Sequence, residues 1–193
     1  MFIRNWKTEI MTIPNLLSVT RLALLPVYVR IYLTATESWE YLLAGGIMVL
    51  SCLTDLLDGF IARRFHQITN LGKILDPLAD KITQFTLTFC LSLRYPTLHP
   101  VLALFLAKEI FQLAVGMAFL KKGQMLPGAL MTGKVCTTVL FVSLTALVIF
   151  PQMEMAAVKA IALTDGLFLV AAFLGYILAY FGPEAKVQDL KRE

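Results

Sequence analysis

Asp55-Leu56-Leu57-Asp58-Gly59-Phe60-Ile61-Ala62-Arg63, continued after eight residues by Gly72-Lys73-Ile74-Leu75-Asp76-Pro77-Leu78-Ala79-Asp80, decides how the chain is read. Both halves are apolar runs broken by acids at helical spacing. A helix advances about 100° per residue, so Asp55, Asp58, Gly59 and Ala62 fall within about a third of its circumference. On the next segment Gly72, Asp76 and Asp80 recur every four residues and also share one face. The link between the segments is short, which makes them antiparallel neighbours with acid faces able to meet. An ionised Asp at mid-bilayer costs about 2.5–3.5 kcal/mol. Four at that depth would cost ~10 kcal/mol, comparable to the stability of a whole domain. A cation is needed to neutralise them.

The surrounding composition is that of a polytopic membrane protein. Apolar residues make up 58% of the chain and charged residues only 16%, a balance soluble domains do not show. Six apolar segments can be read, at about 15–33, 40–64, from between 72 and 76 to 93, 98–120, 130–150 and 156–181. Each is long enough to cross the hydrocarbon as a helix, and none has the alternation of a barrel strand. The expected fold is all-α: a single membrane domain over residues 1–193, with six transmembrane helices within 13–182. A short interfacial helix (1–12) carrying Trp6 precedes them, and a polar tail (183–193) follows.

Charge fixes the expected orientation. Arg4, Lys7, Arg63, Arg64, Lys73, Lys121, Lys122, Lys134, Lys186, Lys191 and Arg192 lie on one set of connections. The other set, such as Thr34–Ser38 and Pro151–Glu154, is almost without cations. The positive-inside rule puts both termini and the acidic motif in the cytoplasm, in an inner-membrane protein. The net charge of +4 reflects these span ends and anionic headgroups, not nucleic acid. Cys52, Cys90 and Cys136 have neither zinc-site nor disulfide spacing and read as small buried hydrophobes.

Four carboxylates without His or Cys make a hard, oxygen-only site, suited to Mg²⁺ or Mn²⁺, with Ca²⁺ a poorer fit. Such sites commonly bind phosphate oxygens, and a pair of ions can clamp both ends of a displacement at phosphorus. Two rival readings follow from the same residues. The acids can form ion pairs with Arg63, Arg64, Lys73 and Lys81, although that leaves the small residues on their faces unexplained. They can also line a cation-coupled transport path, although transporter acids usually lie near mid-membrane beside broken helices.

The pattern Asp55-x2-Asp58-Gly59-x2-Ala62-Arg63-x8-Gly72-x3-Asp76-x3-Asp80 resembles, without gap or mismatch, the signature of the CDP-alcohol phosphatidyltransferases. The resemblance implies an enzyme in which a hydroxyl attacks the β-phosphate of a CDP-linked lipid and CMP leaves. It implies Asp55, Asp58, Asp76 and Asp80 as ligands of two divalent ions, Mg²⁺ or Mn²⁺, with Asp80 also the catalytic base. Gly59, Ala62, Arg63 and Gly72, with Asn15 and Thr20 of the opening segment, would face the CDP-lipid.

Ile13-Pro14-Asn15-Leu16-Leu17-Ser18-Val19-Thr20-Arg21 and Gly133-Lys134-Val135-Cys136-Thr137-Thr138 look most like the bacterial members that act on CDP-diacylglycerol with glycerol 3-phosphate as acceptor. Lys81, Lys108, Lys134 and Arg21 are then the candidates for its phosphate. Ala107-Lys108-Glu109 departs from the Ala-Arg-Glu often found in the family, so phosphatidylglycerol or inositol phosphate stay open as acceptors. A homodimer is the family expectation.

Overall fold

The protein is described from a computed structural model covering residues 12–64, 72–121, 124–125, 130–181 and 188–189. The expected interfacial segment and most of the polar tail lie outside the described residues. Among the described residues the chain is helical, with six long α-helices: α1 (Ile13–Thr34), α2 (Ser38–Arg64), α3 (Gly72–Arg94), α4 (His99–Lys121), α5 (Met131–Ile149) and α6 (Met155–Phe181). Every helix ends within two residues of its sequence reading. A 3₁₀ turn at Pro96–Leu98 leads into α4, and a two-residue antiparallel pairing joins β1 (Gln124–Met125) to β2 (Gln188–Asp189).

Four helical stretches are long and apolar enough to cross a membrane: Ile13–Thr34, Pro96–Phe119, Met131–Ile149 and Met155–Phe181. The chain is a multi-pass membrane protein. The acid-bearing helices α2 and α3 do not meet the same measure. The side chains are distributed as lipid demands. On α6 the buried residues are Val158, Ala162, Asp165, Leu169, Ala172, Tyr176 and Tyr180, spaced by three or four, while Leu163, Leu167, Leu174 and Leu178 are exposed. Alanines, tyrosines and Asp165 are on the inward stripe and four leucines face out, because lipid is as apolar as leucine and gives no reason to hide it.

The helices form two compact units. The first holds α1, α2, α3 as far as Cys90, and Thr145–Gln152. Here α1 packs along α2, and a three-residue link makes them antiparallel. Glu40 closes the link, its carboxylate accepting the backbone N–H groups of Thr36 (2.6 Å) and Glu37 (3.0 Å), as one arm of a capping box does. The buried face of α1 is a single stripe: Pro14, Asn15, Ser18, Arg21, Leu25, Tyr28 and Tyr32. It is polar at its N-terminal end and aromatic at the other, where Tyr32 stacks on Tyr28 and meets Tyr41 of α2 edge-on.

The second unit holds Leu91–Leu144 and the chain from Met153 onward. In it α4 packs against α6 through Phe111, Phe173 and Tyr180. Asp165 of α6 is buried and accepts the Ser143 hydroxyl at 2.8 and 2.9 Å. Cys90 and Cys136 are buried, and none of the three cysteines is in a disulfide.

Gly45 shows why a small residue is needed in α2. A Cβ there would run into the inner side-chain carbons of Ile149 within the first unit, whereas at Gly46 it would meet nothing. Gly45→Ala is therefore expected to destabilise by about 1–3 kcal/mol, the usual cost of overpacking, and Gly46→Ala by much less. Thermal unfolding in detergent checks this, and adding Ile149→Ala to Gly45→Ala should restore part of the loss.

Candidate active site

Three of the four aspartates have described side chains, and all three meet α1. The Arg21 guanidinium donates through Nη2 to Asp55 Oδ1 at 2.7 Å and through Nη1 to Asp80 Oδ1 at 2.6 Å. Ser18, one turn earlier, donates its hydroxyl to Asp76 Oδ1 at 2.6 Å. The contacts advance in the same sense along both helices, Ser18 to Asp76 and Arg21 to Asp80. They therefore align α1 with α3, while Asp55 ties in α2. Asp55 of the first face and Asp76 and Asp80 of the second therefore meet on α1.

The exposures are unequal. The Arg21 side chain keeps 2% of its surface, against 40% for Asp55 and 48% for Asp80. The cation lies inside the helix pack and the acids stand between it and the outside. Two like charges 4 Å apart repel by about 1 kcal/mol in water and about 4 kcal/mol near a protein surface. Arg21 relieves that repulsion, and the acids in turn compensate a guanidinium taken out of water. Among the described side chains the cation that meets Asp55 and Asp80 is Arg21; the side chains of Arg63 and Lys73, named in the rival ion-pair reading, lie outside those described. The sequence reading had Arg21 as an acceptor-phosphate candidate; in the structure both of its terminal nitrogens are on aspartates.

The other candidates fall as follows. Asp58, Gly59, Ala62 and Arg63 lie in α2 with side chains outside those described. Gly72 opens α3 and is buried, as is Asn15 on α1. Thr20 is exposed, its hydroxyl turned back onto the Leu16 carbonyl at 2.8 Å. Lys81 is half-buried on α3.

In the second unit Lys108 is buried. Its ammonium pairs with Glu109 and lies 5.8 Å from the centre of the Tyr176 ring. Lys134, in the first turn of α5, is exposed and makes no ion pair among the described residues. Gly133 precedes it because a Cβ there would strike the Tyr176 hydroxyl.

The comparisons with known proteins bear on what this arrangement does. The model of the CDP-alcohol phosphatidyltransferases matches residues 11–178. The chain belongs to that family. It is an enzyme of the phosphatidyltransferase type, which sets the transporter reading aside. Over 138 residues it is 40% identical to the CDP-diacylglycerol–glycerol-3-phosphate 3-phosphatidyltransferase of Aquifex aeolicus, an alignment covering 71% of this chain and 74% of that protein. The enzyme of the same name from Pseudomonas fluorescens is 40% identical over 72 residues, 37% of this chain and 36% of that one. The human CMP-forming cardiolipin synthase is 50% identical over 91 residues, 47% of this chain and 28% of that protein.

The family implies divalent metal, and the donor set fits one. Asp55 and Asp80 are oxygen-only ligands of the hard type that Mg²⁺ and Mn²⁺ prefer, still partly exposed after meeting Arg21. Among the described residues no three acids, histidines or cysteines close into a ligand cage, and Asp58 is not among the side chains described. Ser18 is the residue that sequence reasoning missed. Its signal was its place three residues before Arg21, on the face that α1 buries.

Lys108 and Glu109 supply a measurable consequence. Removing one partner of a buried pair leaves an uncompensated charge and typically costs about 3–5 kcal/mol. Glu109→Ala is expected to lower the unfolding midpoint strongly. The double variant Lys108→Met with Glu109→Leu should recover most of that loss, as thermal scans of the three proteins in one detergent will show.

Proposed function

We propose that the protein transfers the phosphatidyl group of CDP-diacylglycerol to glycerol 3-phosphate, releasing CMP and forming phosphatidylglycerophosphate. The observation that carries this is the convergence of Asp55, Asp76 and Asp80 on α1 in a chain of this family. The Aquifex relative, named for that reaction, matches over 74% of its length. Asp80 acts as the base: it takes the proton of the acceptor hydroxyl as that oxygen bonds to the phosphorus bearing the diacylglycerol. The bond from this phosphorus to the CMP oxygen breaks, and CMP carries away the electron pair.

Asp55, Asp58, Asp76 and Asp80 would hold two divalent ions, Mg²⁺ or Mn²⁺, whose positive charge neutralises the diphosphate and the leaving CMP. Gly59, Ala62, Arg63, Gly72, Asn15 and Thr20 are assigned to the CDP-lipid. A recess of about 450 Å³ lined by Leu22, Leu25, Pro26, Val29, Arg30 and Ile82 adjoins the Arg21–Asp80 pair along α1 and α3 and is apolar enough for an acyl chain. Lys134 is the leading cation for the acceptor phosphate, with Lys81 and Lys108 beside it in that assignment.

The same reading makes all six helices spans of one membrane domain, with the N-terminal segment at the interface. Both termini and the acids face the cytoplasm at the inner membrane, and the enzyme works as a homodimer. The human cardiolipin synthase is 50% identical over the stretch it shares. That favours a second reading in which phosphatidylglycerol is the acceptor and the chemistry is unchanged.

Purified protein with CDP-diacylglycerol and Mg²⁺ or Mn²⁺ is expected to release CMP when glycerol 3-phosphate is added. Release with phosphatidylglycerol or inositol phosphate instead would change the acceptor and keep the chemistry, and no release with any of them would remove the assignment. In the same assay Asp80→Asn should abolish CMP release while the variant still binds the CDP-lipid. Lys134→Ala should raise the KM for glycerol 3-phosphate about tenfold or more, the loss of one charged hydrogen bond, and barely move that for CDP-diacylglycerol. Equal effects on both would take Lys134 out of the acceptor site.

A further inference from the structure

The acids are supported from a third helix. Ser18 and Arg21 lie one turn apart on the buried stripe of α1, and between them they engage every aspartate of the motif whose side chain is described. Neither contributes a carboxylate, and neither is accessible: Ser18 is fully buried and Arg21 nearly so. The acids they hold remain partly exposed. An ionised carboxylate accepts about four hydrogen bonds through its two oxygens. One strong donor on Oδ1 fixes the rotation of the group and leaves capacity for a cation.

Arg21 does this twice with one planar fork, so it also sets the spacing between a carboxylate on α2 and a carboxylate on α3. A lysine carries the same charge without that geometry.

We propose that Ser18 and Arg21 are positioning residues: from α1 they orient Asp76, Asp55 and Asp80 for divalent-ion binding and for proton transfer by Asp80. What the oriented acids then do rests on the phosphatidyl-transfer reading above; that they are oriented from α1 does not. Groups that hydrogen-bond metal ligands from behind typically contribute a factor of about 10–100 in metal affinity. A neutral hydroxyl belongs at or below the lower end of that range and a charged guanidinium bridging two carboxylates toward the upper end.

This separates Arg21 from the part the sequence suggested for it. An acceptor-phosphate ligand would change the KM for the acceptor and leave metal binding alone. A staple that merely tied α1 to its neighbours would change thermal stability and leave metal affinity per folded molecule alone.

The test is Mn²⁺ binding to the full-length protein in detergent, followed by electron paramagnetic resonance without lipid or acceptor. Wild type, Arg21→Lys and Ser18→Ala are compared, each with its thermal midpoint. Arg21→Lys is expected to raise the Mn²⁺ Kd by about tenfold or more, and Ser18→Ala by about three- to tenfold, with Ser18→Ala as heat-stable as wild type within a few degrees. In turnover both should lose kcat with little change in the KM for glycerol 3-phosphate.

If Arg21→Lys does not fold, Ser18→Ala carries the test alone. Wild-type Mn²⁺ affinity in the folded variants would overturn the proposal. So would an Arg21→Lys enzyme whose only defect is a raised KM for glycerol 3-phosphate. Weakened Mn²⁺ binding in the variants, beside a wild type that releases no CMP with any acceptor, would support the positioning role and defeat the transfer reading.

Discussion

One buried guanidinium holds the acid site together. Arg21 donates to Asp55 on α2 and to Asp80 on α3, so a single side chain of α1 joins the two halves of the motif. Without it the two carboxylates would repel, and without them a cation buried in the helix pack would have no counter-charge. With it, each charge answers the other. Three helices are fixed in register at the aspartates. The polar half of the α1 stripe follows from this, since Asn15, Ser18 and Arg21 are buried where the acids are, and the stripe turns aromatic once they are passed.

The second unit obeys the same rule in a quieter form. Lys108 is buried among apolar side chains with Glu109 beside it and the Tyr176 ring near its ammonium, and Asp165 is buried with the Ser143 hydroxyl. These two buried charged groups are matched locally, as a surrounding hydrocarbon favours. Lys134, by contrast, is exposed and makes no ion pair among the described residues. A cation left available differs from one already matched.

Much of this was legible in the sequence, for identifiable reasons. Helix bounds came within two residues because apolar runs are punctuated by Pro14, Pro96 and Pro151 and by charged connections, and these signals are local. The acid faces were legible because positions three and four apart on a helix are neighbours by geometry alone. The partners of those faces were not. Arg21 and Asp80 are separated by 59 residues, and nothing in their own neighbourhoods says that they meet. Charge counting drew attention to Arg63, Arg64 and Lys73, which are near the acids in the chain. Among the described side chains the cation that meets the acids is Arg21, one helix earlier, because α1 and α3 advance together from the same end.

This pairing narrows how the site can work. If the acids were held only by their own helices, their spacing would depend on how α2 and α3 cross, and any shift between those helices would open the site. A fork that touches both carboxylates makes their separation a property of one rigid, planar group. A displacement at phosphorus needs reacting atoms held within a few tenths of an ångström, and misplacement by about 1 Å can cost a factor of about 100. The motif alone is therefore an incomplete description of the catalytic unit. In the proposed reaction the acids supply the charge and the base, and the buried face of α1 keeps them in place.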